Sequence, residues 1–157
     1  MITRIVLLLI FFPIVVLSQQ RVNVADVDTS LALAYYNDKP FTGILVSSYR
    51  NGVVKQETNY IKGKVYGTCK WFHKNGNKMA VANKRDGKYH GVFKRWYKNG
   101  QMEQRINFRN GERHGLSEFW HRNGQITFQA TFRDGKFVEG KAWKKNGKEM
   151  QVVTSEY

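Results

Sequence analysis

From residue 41 onward, apolar and polar positions alternate in short runs, and the runs are separated by Asn-Gly, Asp-Gly and Lys-Gly pairs. Period-two alternation is the pattern of a β-strand, whose successive side chains point to opposite faces. Asn-Gly between two such runs is the strongest short-range hairpin signal, because both residues tolerate the positive φ of a type I′ turn. With a two-residue turn at Asn99-Gly100, Lys98 faces Gln101, Tyr97 faces Met102, Phe93 faces Ile106 and Gly91 faces Phe108. One face then carries Phe93, Tyr97, Met102, Ile106 and Phe108. The other carries Val92, Trp96, Glu103, Arg105 and Asn107.

The same hairpin recurs. Gly43, Gly67, Gly91 and Gly115 are each 24 residues apart, and so are Gly63, Gly87, Gly111 and Gly135. Asn51-Gly52, Asn75-Gly76, Asn99-Gly100 and Asn123-Gly124 keep that step, and Asn146-Gly147 closes the series 23 residues on. Three marker sets with one period predict a tandem repeat in which each unit packs on its neighbours. The predicted fold is all-β: an elongated single-layer antiparallel meander of hairpins, roughly nine or ten strands. At ~4.8 Å per strand, one repeat advances the sheet ~10 Å. A half unit at 35–43 is expected to open the array, with "DVDTSLALAYY" (26–36) read as strand. Gly91 and Gly115, each before an aromatic pair, face Phe108 and Phe132 across their hairpins, where a ring can cover exposed backbone.

The first residues break the pattern. "MITR" is a short basic segment, "IVLLLIFFPIVVL" at 5–17 is an apolar run, and Ser18 follows with Val16 two residues before it. This is the layout of a secretory signal peptide, in a run shorter than the ~20 residues of a membrane span. The predicted division is a signal peptide at 1–18, an N-terminal segment with the half repeat at 19–40, the repeat array at 41–152 and a tail at 153–157. The expected location is periplasmic or extracellular.

Charge narrows the partners. The chain has 26 Lys+Arg against 12 Asp+Glu, net +14, and loss of residues 1–18 removes only Arg4, leaving +13. Such a balance favours anionic lipid or envelope polymer, and it also keeps an exposed sheet soluble. The one cysteine, Cys69, forms no intramolecular disulfide and reads as a small buried hydrophobe. No nucleophilic triad, phosphate loop or metal-ligand cluster stands in the sequence. His90 and His114 share a repeat position and sit ~10 Å apart, too far for one metal ion. No enzyme activity, cofactor, metal or small-molecule substrate is expected. The candidate binding surface is the aromatic row Phe72, Trp96, Trp120 and Trp143, stacked across repeats, with the interleaved cations Lys94, Lys98 and Arg122. The aromatic position recurs in register and the basic positions are read as out of register, so aromatics are expected to dominate binding. Interleaved cations and aromatics also suit single-stranded nucleic acid, which an exported protein rarely meets.

"PFTG" at 40–43, "GVFKRWYKNGQ" at 91–101 and "FRNGERHG" at 108–115 resemble the MORN repeat, in its bacterial variant, and more closely the YwqK family catalogued as antitoxins of toxin–antitoxin systems. The resemblance covers about 41–150. It implies an elongated sheet of hairpins and a binding or scaffold role, with an unknown protein as the foremost partner. An anionic membrane or envelope polymer and a neutralised toxin are the alternatives. The unit at 65–87 departs from the pattern, with Lys84 where Tyr60, Phe108 and Phe132 stand in the others.

Overall fold

The alternating runs form strands, and the glycine-containing pairs between them form the turns. The structure is a computed structural model that describes residues 19–29 and 33–154. The apolar run at 5–17 and the last three residues lie outside the described residues, and with them the signal-peptide reading and most of the tail; so does the centre of the 26–36 segment.

Ten strands make the meander. They are β4 (Gly43–Ser48), β5 (Val54–Ile61), β6 (Lys64–Phe72), β7 (Lys78–Arg85), β9 (Gly91–Trp96), β10 (Met102–Arg109), β11 (Glu112–Trp120), β12 (Ile126–Arg133), β13 (Lys136–Trp143) and β14 (Glu149–Thr154). Each pairs antiparallel with its sequence neighbour, and a short β8 (Lys88–Tyr89) adds to β7. The all-β, single-layer reading is correct. One edge differs from it. β1 (Arg21–Asn23) lies parallel to β4, with Val22 opposite Leu45, so the sheet is mixed. The half-unit segment forms its own two-stranded sheet, β2 (Tyr35–Tyr36) with β3 (Lys39–Pro40), off the main one. Val22, Val27, Ala34, Phe41 and Leu45 are buried together there, with Tyr36 and Tyr60 packed against them. The Phe41 ring meets Tyr36 at 6.1 Å and Tyr60 at 5.9 Å. This is where a one-layer sheet acquires a small core and covers its first edge.

Along the rest of the sheet, one face buries a row of small side chains. Leu45, Thr58, Cys69 and Ala82 are cross-strand partners in sequence, and so are Ile106, Ser117, Ala130 and Gly140. All eight are buried, Leu45 beneath the N-terminal cluster. Rings on the same strands flank the row: Tyr89, Phe93 and Phe108 form one cluster, Phe119 with Phe128 a pair, and Phe132 with Phe137 another. Small residues between large ones are how a single layer excludes water from its backbone. Lys84, the departure in the second unit, places its ammonium 4.9 Å from the Tyr89 ring centre, a cation–π contact where other units place ring on ring.

The turns correct the sequence reading. At one end of the hairpins, Lys62-Gly63, Asp86-Gly87, Asn110-Gly111 and Asp134-Gly135 all have positive φ. The residues around them pair directly, Arg109 with Glu112 for example. These are the two-residue type I′ turns. Asn51, Asn75, Asn99, Asn123 and Asn146 are not in that conformation; only Gly52, Gly76, Gly100, Gly124 and Gly147 after them have positive φ. Gly100 N–H donates to Tyr97 O at 2.9 Å and Tyr97 N–H to Gln101 O at 2.8 Å, and the other four turns repeat both bonds. This is a type I turn closed by a left-handed glycine, a three-residue connection. The extra residue shifts the register beside it. Met102 faces Trp96, not Tyr97, while Ile106 still faces Phe93 and Phe108 still faces Gly91. Likewise Ile126 faces Trp120 rather than His121.

Gly91 and Gly115 do face Phe108 and Phe132. A Cβ built on either would meet an Asn side chain, Asn83 or Asn107, and no ring. Their φ values of +76° and +89° are what exclude other residues.

Candidate binding surface

Each hairpin is tied to the next at both ends, and these ties decide what the protein presents. At the I′ end, the N–H groups of Gly63, Gly87, Gly111 and Gly135 donate to the carbonyls of Phe41, Val65, Tyr89 and Arg113 in the preceding unit. At the other end, the Tyr49 hydroxyl donates to Phe72 O at 2.8 Å and the Tyr97 hydroxyl to Trp120 O at 2.8 Å. The His73 ring reaches Trp96 O at 3.2 Å in the same way. Tyr49, His73 and Tyr97 are thus inter-repeat struts. The turn asparagines act alongside them. Their Oδ1 atoms accept from the N–H of Val53, Asn77, Gln101, Gln125 and Lys148. Asn51 Nδ2 donates to Lys74 O at 3.3 Å and Asn99 Nδ2 to Arg122 O at 3.2 Å. Asn51 and Asn99 therefore serve a local turn and a bridge to the next turn at once; at the turn between them Asn77 Nδ2 makes the bridge, to Lys98 O at 3.3 Å.

The aromatic row keeps its position but not its expected contacts. By strand alternation Phe72, Trp96, Trp120 and Trp143 share the face that also carries Lys70, Lys94, Glu118 and Lys141. All four rings are half-buried. They are not stacked: among the described residues no ring–ring contact involves a tryptophan. One repeat, ~10 Å, is too far for ring contact. Across the hairpin Trp96 faces Met102 and Trp120 faces Ile126, while Phe72 faces Lys78 and Trp143 faces Glu149.

Some of the strand cations are paired with carboxylates. Glu57 holds Arg21 at 2.8 Å and Lys70 at 3.3 Å, Arg95 pairs with Glu103 at 2.9 Å, Arg105 with Glu118 at 3.5 Å and Lys141 with Glu149 at 3.2 Å. Arg109 and His114 both reach Asp134. The hydrogen bond from Arg21, followed by Lys70, holds the Glu57 carboxyl below its ordinary range against the opposing effect of partial burial. Arg109 does the same for Asp134. Burial pushes the Cys69 thiol up, so it stays protonated at neutral pH. Among the described residues no three His, Cys, Asp or Glu side chains gather as a metal site.

The predicted cations separate. Lys94 projects from a strand; Lys98 and Arg122 lie in turns, each directly before Asn-Gly, and all three are exposed. The turn position was missed as a register. Arg50, Lys74, Lys98, Arg122 and Lys145 all hold it, and all are exposed. The basic positions therefore do recur in step, in the turns and not on the strands. The signal for this register is the basic-Asn-Gly triplet itself, repeated in each unit.

Three stretches, 41–62, 89–110 and 113–134, match the family described as the MORN repeat variant. Each covers one hairpin around its type I turn and ends on the first residue of a type I′ turn: Lys62, Asn110 and Asp134. These three stretches are similar to the MORN repeat variant. No curated protein matches it. Among solved structures it is similar to the crystal structure of TarM, at 15% identity and a TM-score of 0.37 over 56% of this chain and 18% of that one. It is also similar to accessory secretory protein 1,2 and 3 in Streptococcus pneumoniae, at 16% identity and a TM-score of 0.37 over 88% of this chain and 22% of that one. The chain spans about a fifth of the length of each.

Proposed function

We propose that this chain is an exported binding and scaffold module that engages a protein partner on the face bearing Phe72, Trp96, Trp120 and Trp143. The observation that carries this reading is the half-buried state of the four rings without ring–ring contact among the described residues. Rings that do not hold one another remain available to a partner, and aromatic anchors dominate interface energies. The similarity to the MORN repeat variant supports a binding role, and the apolar run at 5–17 supports export. The same run weighs against a YwqK-type antitoxin, whose toxin would be cytosolic.

The test is capture from envelope and culture fractions at 1 M salt, where the screening length is ~3 Å. Wild-type protein retains a partner under these conditions. A Trp120→Ala variant that still unfolds cooperatively loses it. Equal capture by both proteins, or capture abolished by salt alone, would overturn the assignment of this face.

A further inference from the structure

The turn cations form a second surface, at the sheet's edge and separate from the aromatic face. Two concave notches open between neighbouring turns. One, of ≈ 430 Å³, is lined by Tyr49, Arg50, Asn51 and Lys74. The other, of ≈ 360 Å³, is lined by Tyr97, Lys98, Asn99 and Arg122, with Asn75 at its rim. Tyr49, Arg50, Asn51 and Lys74 of the first correspond to Tyr97, Lys98, Asn99 and Arg122 of the second, two repeats on; Asn75 lines only the second. In each, the asparagine bond to the next turn's backbone carbonyl fixes two basic residues side by side. The tyrosine hydroxyl is already committed to the neighbouring strand, and the Arg122 guanidinium lies 5.5 Å from the Tyr97 ring centre. Among the described residues no acidic side chain pairs with Arg50, Lys74, Lys98 or Arg122; some strand cations, such as Arg21, Lys70, Arg95, Arg105 and Arg109, have carboxylates, and others, such as Lys94, have none, so it is their placement side by side in a notch that marks the turn cations. Two like charges held adjacent without a counter-ion repel each other, and a bound anion relieves that repulsion.

We propose that these two notches, continued by Lys145, bind a flexible linear polymer with a phosphate backbone and small repeating units. Four strand steps separate the notches, ~19 Å, so the ligand must be extended to fill both. The geometry disfavours a flat surface. Sheets twist by ~20–25° per strand, so the five turns, spread over eight strand steps, rotate by roughly 160–200° about the sheet axis. A bilayer meets two or three of them; a flexible chain follows them all. At the second notch the Arg122 guanidinium already lies over the Tyr97 ring, so a nucleic acid base gains no stacking there.

The experiment uses long-chain inorganic polyphosphate, followed by fluorescence anisotropy over a salt series. One variant replaces Arg50, Lys74, Lys98 and Arg122 by Gln. A control of equal net charge replaces Lys62, Arg85, Lys88 and Lys136, exposed at the opposite edge. All these side chains are outside the buried row, and both variants must show wild-type unfolding. A third variant, Arg50→Lys with Arg122→Lys, keeps the charge and is expected to keep binding. The turn variant should lose about 100-fold in affinity, and its log–log salt slope should become shallower by about 3, four backbone contacts at ~0.7 each. The control should change only a few-fold. Equal losses in both variants would reduce the effect to diffuse charge and overturn the proposal. So would tighter binding of single-stranded DNA than of polyphosphate, or of phosphatidylglycerol vesicles with the same dependence on the turn residues.

Discussion

The hydroxyl of Tyr97 donates to the carbonyl of Trp120, 2.8 Å away and 23 residues further along the chain. The bond crosses from one hairpin to the next and uses the backbone of Trp120, leaving its side chain uncommitted. Tyr97→Phe removes the donor and leaves a part-buried carbonyl short of a partner. The expected cost is ~0.5–1.5 kcal/mol, read by chemical denaturation. Tyr49→Phe, which breaks the equivalent bond to Phe72, should cost a similar amount. No change in either would show that water replaces the hydroxyl.

The two Asn-Gly pairs of one repeat are not equivalent. Asn110 has φ +52° in a type I′ turn, where glycine is at least as comfortable, so Asn110→Gly should stay within a few tenths of a kcal/mol. Asn99 gives a bond to Arg122 O and accepts one from Gln101 N. Asn99→Gly loses both and should cost ~1–2 kcal/mol. Melting curves of the two variants decide it; equal effects would contradict the turn assignment.

The sequence carried the period, the hairpins and the pairing of Gly91 with Phe108, because all of these follow from spacing and alternation. It did not carry the turn type. Asn-Gly suits a type I′ turn and equally the last two residues of a three-residue turn, and only the position of Tyr97 against Gln101 separates them. Met102 was misplaced for that reason. The parallel β1 was invisible because Val22 meets Leu45 with no local signal to announce it. The aromatic row was found but assigned stacking that a ~10 Å repeat forbids. Lys98 and Arg122 are legible as candidate cations, but their common register with Arg50, Lys74 and Lys145 is hidden when the turns are aligned on glycine.

Stability should fall in acid through Glu57. Its carboxyl titrates below the ordinary value of 4.5 because Arg21 and then Lys70 favour the charged form. A carboxylate with a depressed native pKa binds fewer protons folded than unfolded. Its contribution is complete above the unfolded value and is lost as pH drops through the folded one. Denaturation at pH 7, 5, 4 and 3 should show the decline beginning below about 5. Glu57→Gln should be less stable at pH 7 and flatter in acid. A Glu57→Gln profile parallel to wild type would exclude this ion triad as the cause.

Removing one whole period should shorten the protein without unfolding it. Deleting 91–114 joins His90 to Gly115; the Arg105–Glu118 ion pair is lost, because Val81 takes the place of Arg105, but the bonds between successive turns find successors. The His73 ring, which reaches Trp96 O, meets Trp120 O, the same position one unit on. Asn77 Nδ2, which donates to Lys98 O, meets Arg122 O. Gly135 N–H, which donates to Arg113 O, meets Tyr89 O. The register of the surviving strands is unchanged because the deletion removes an even number of strands. Nearest-neighbour coupling therefore predicts one cooperative transition with a smaller denaturant slope, in proportion to the surface lost. Deleting 100–111 instead removes β10 with parts of both its turns. β9 would then run into β11, which points the same way in the sheet, and no antiparallel pairing survives the join. That variant should fail to give a cooperative transition. If both deletions fold alike, or both fail, the hairpin is not the unit that this chain repeats.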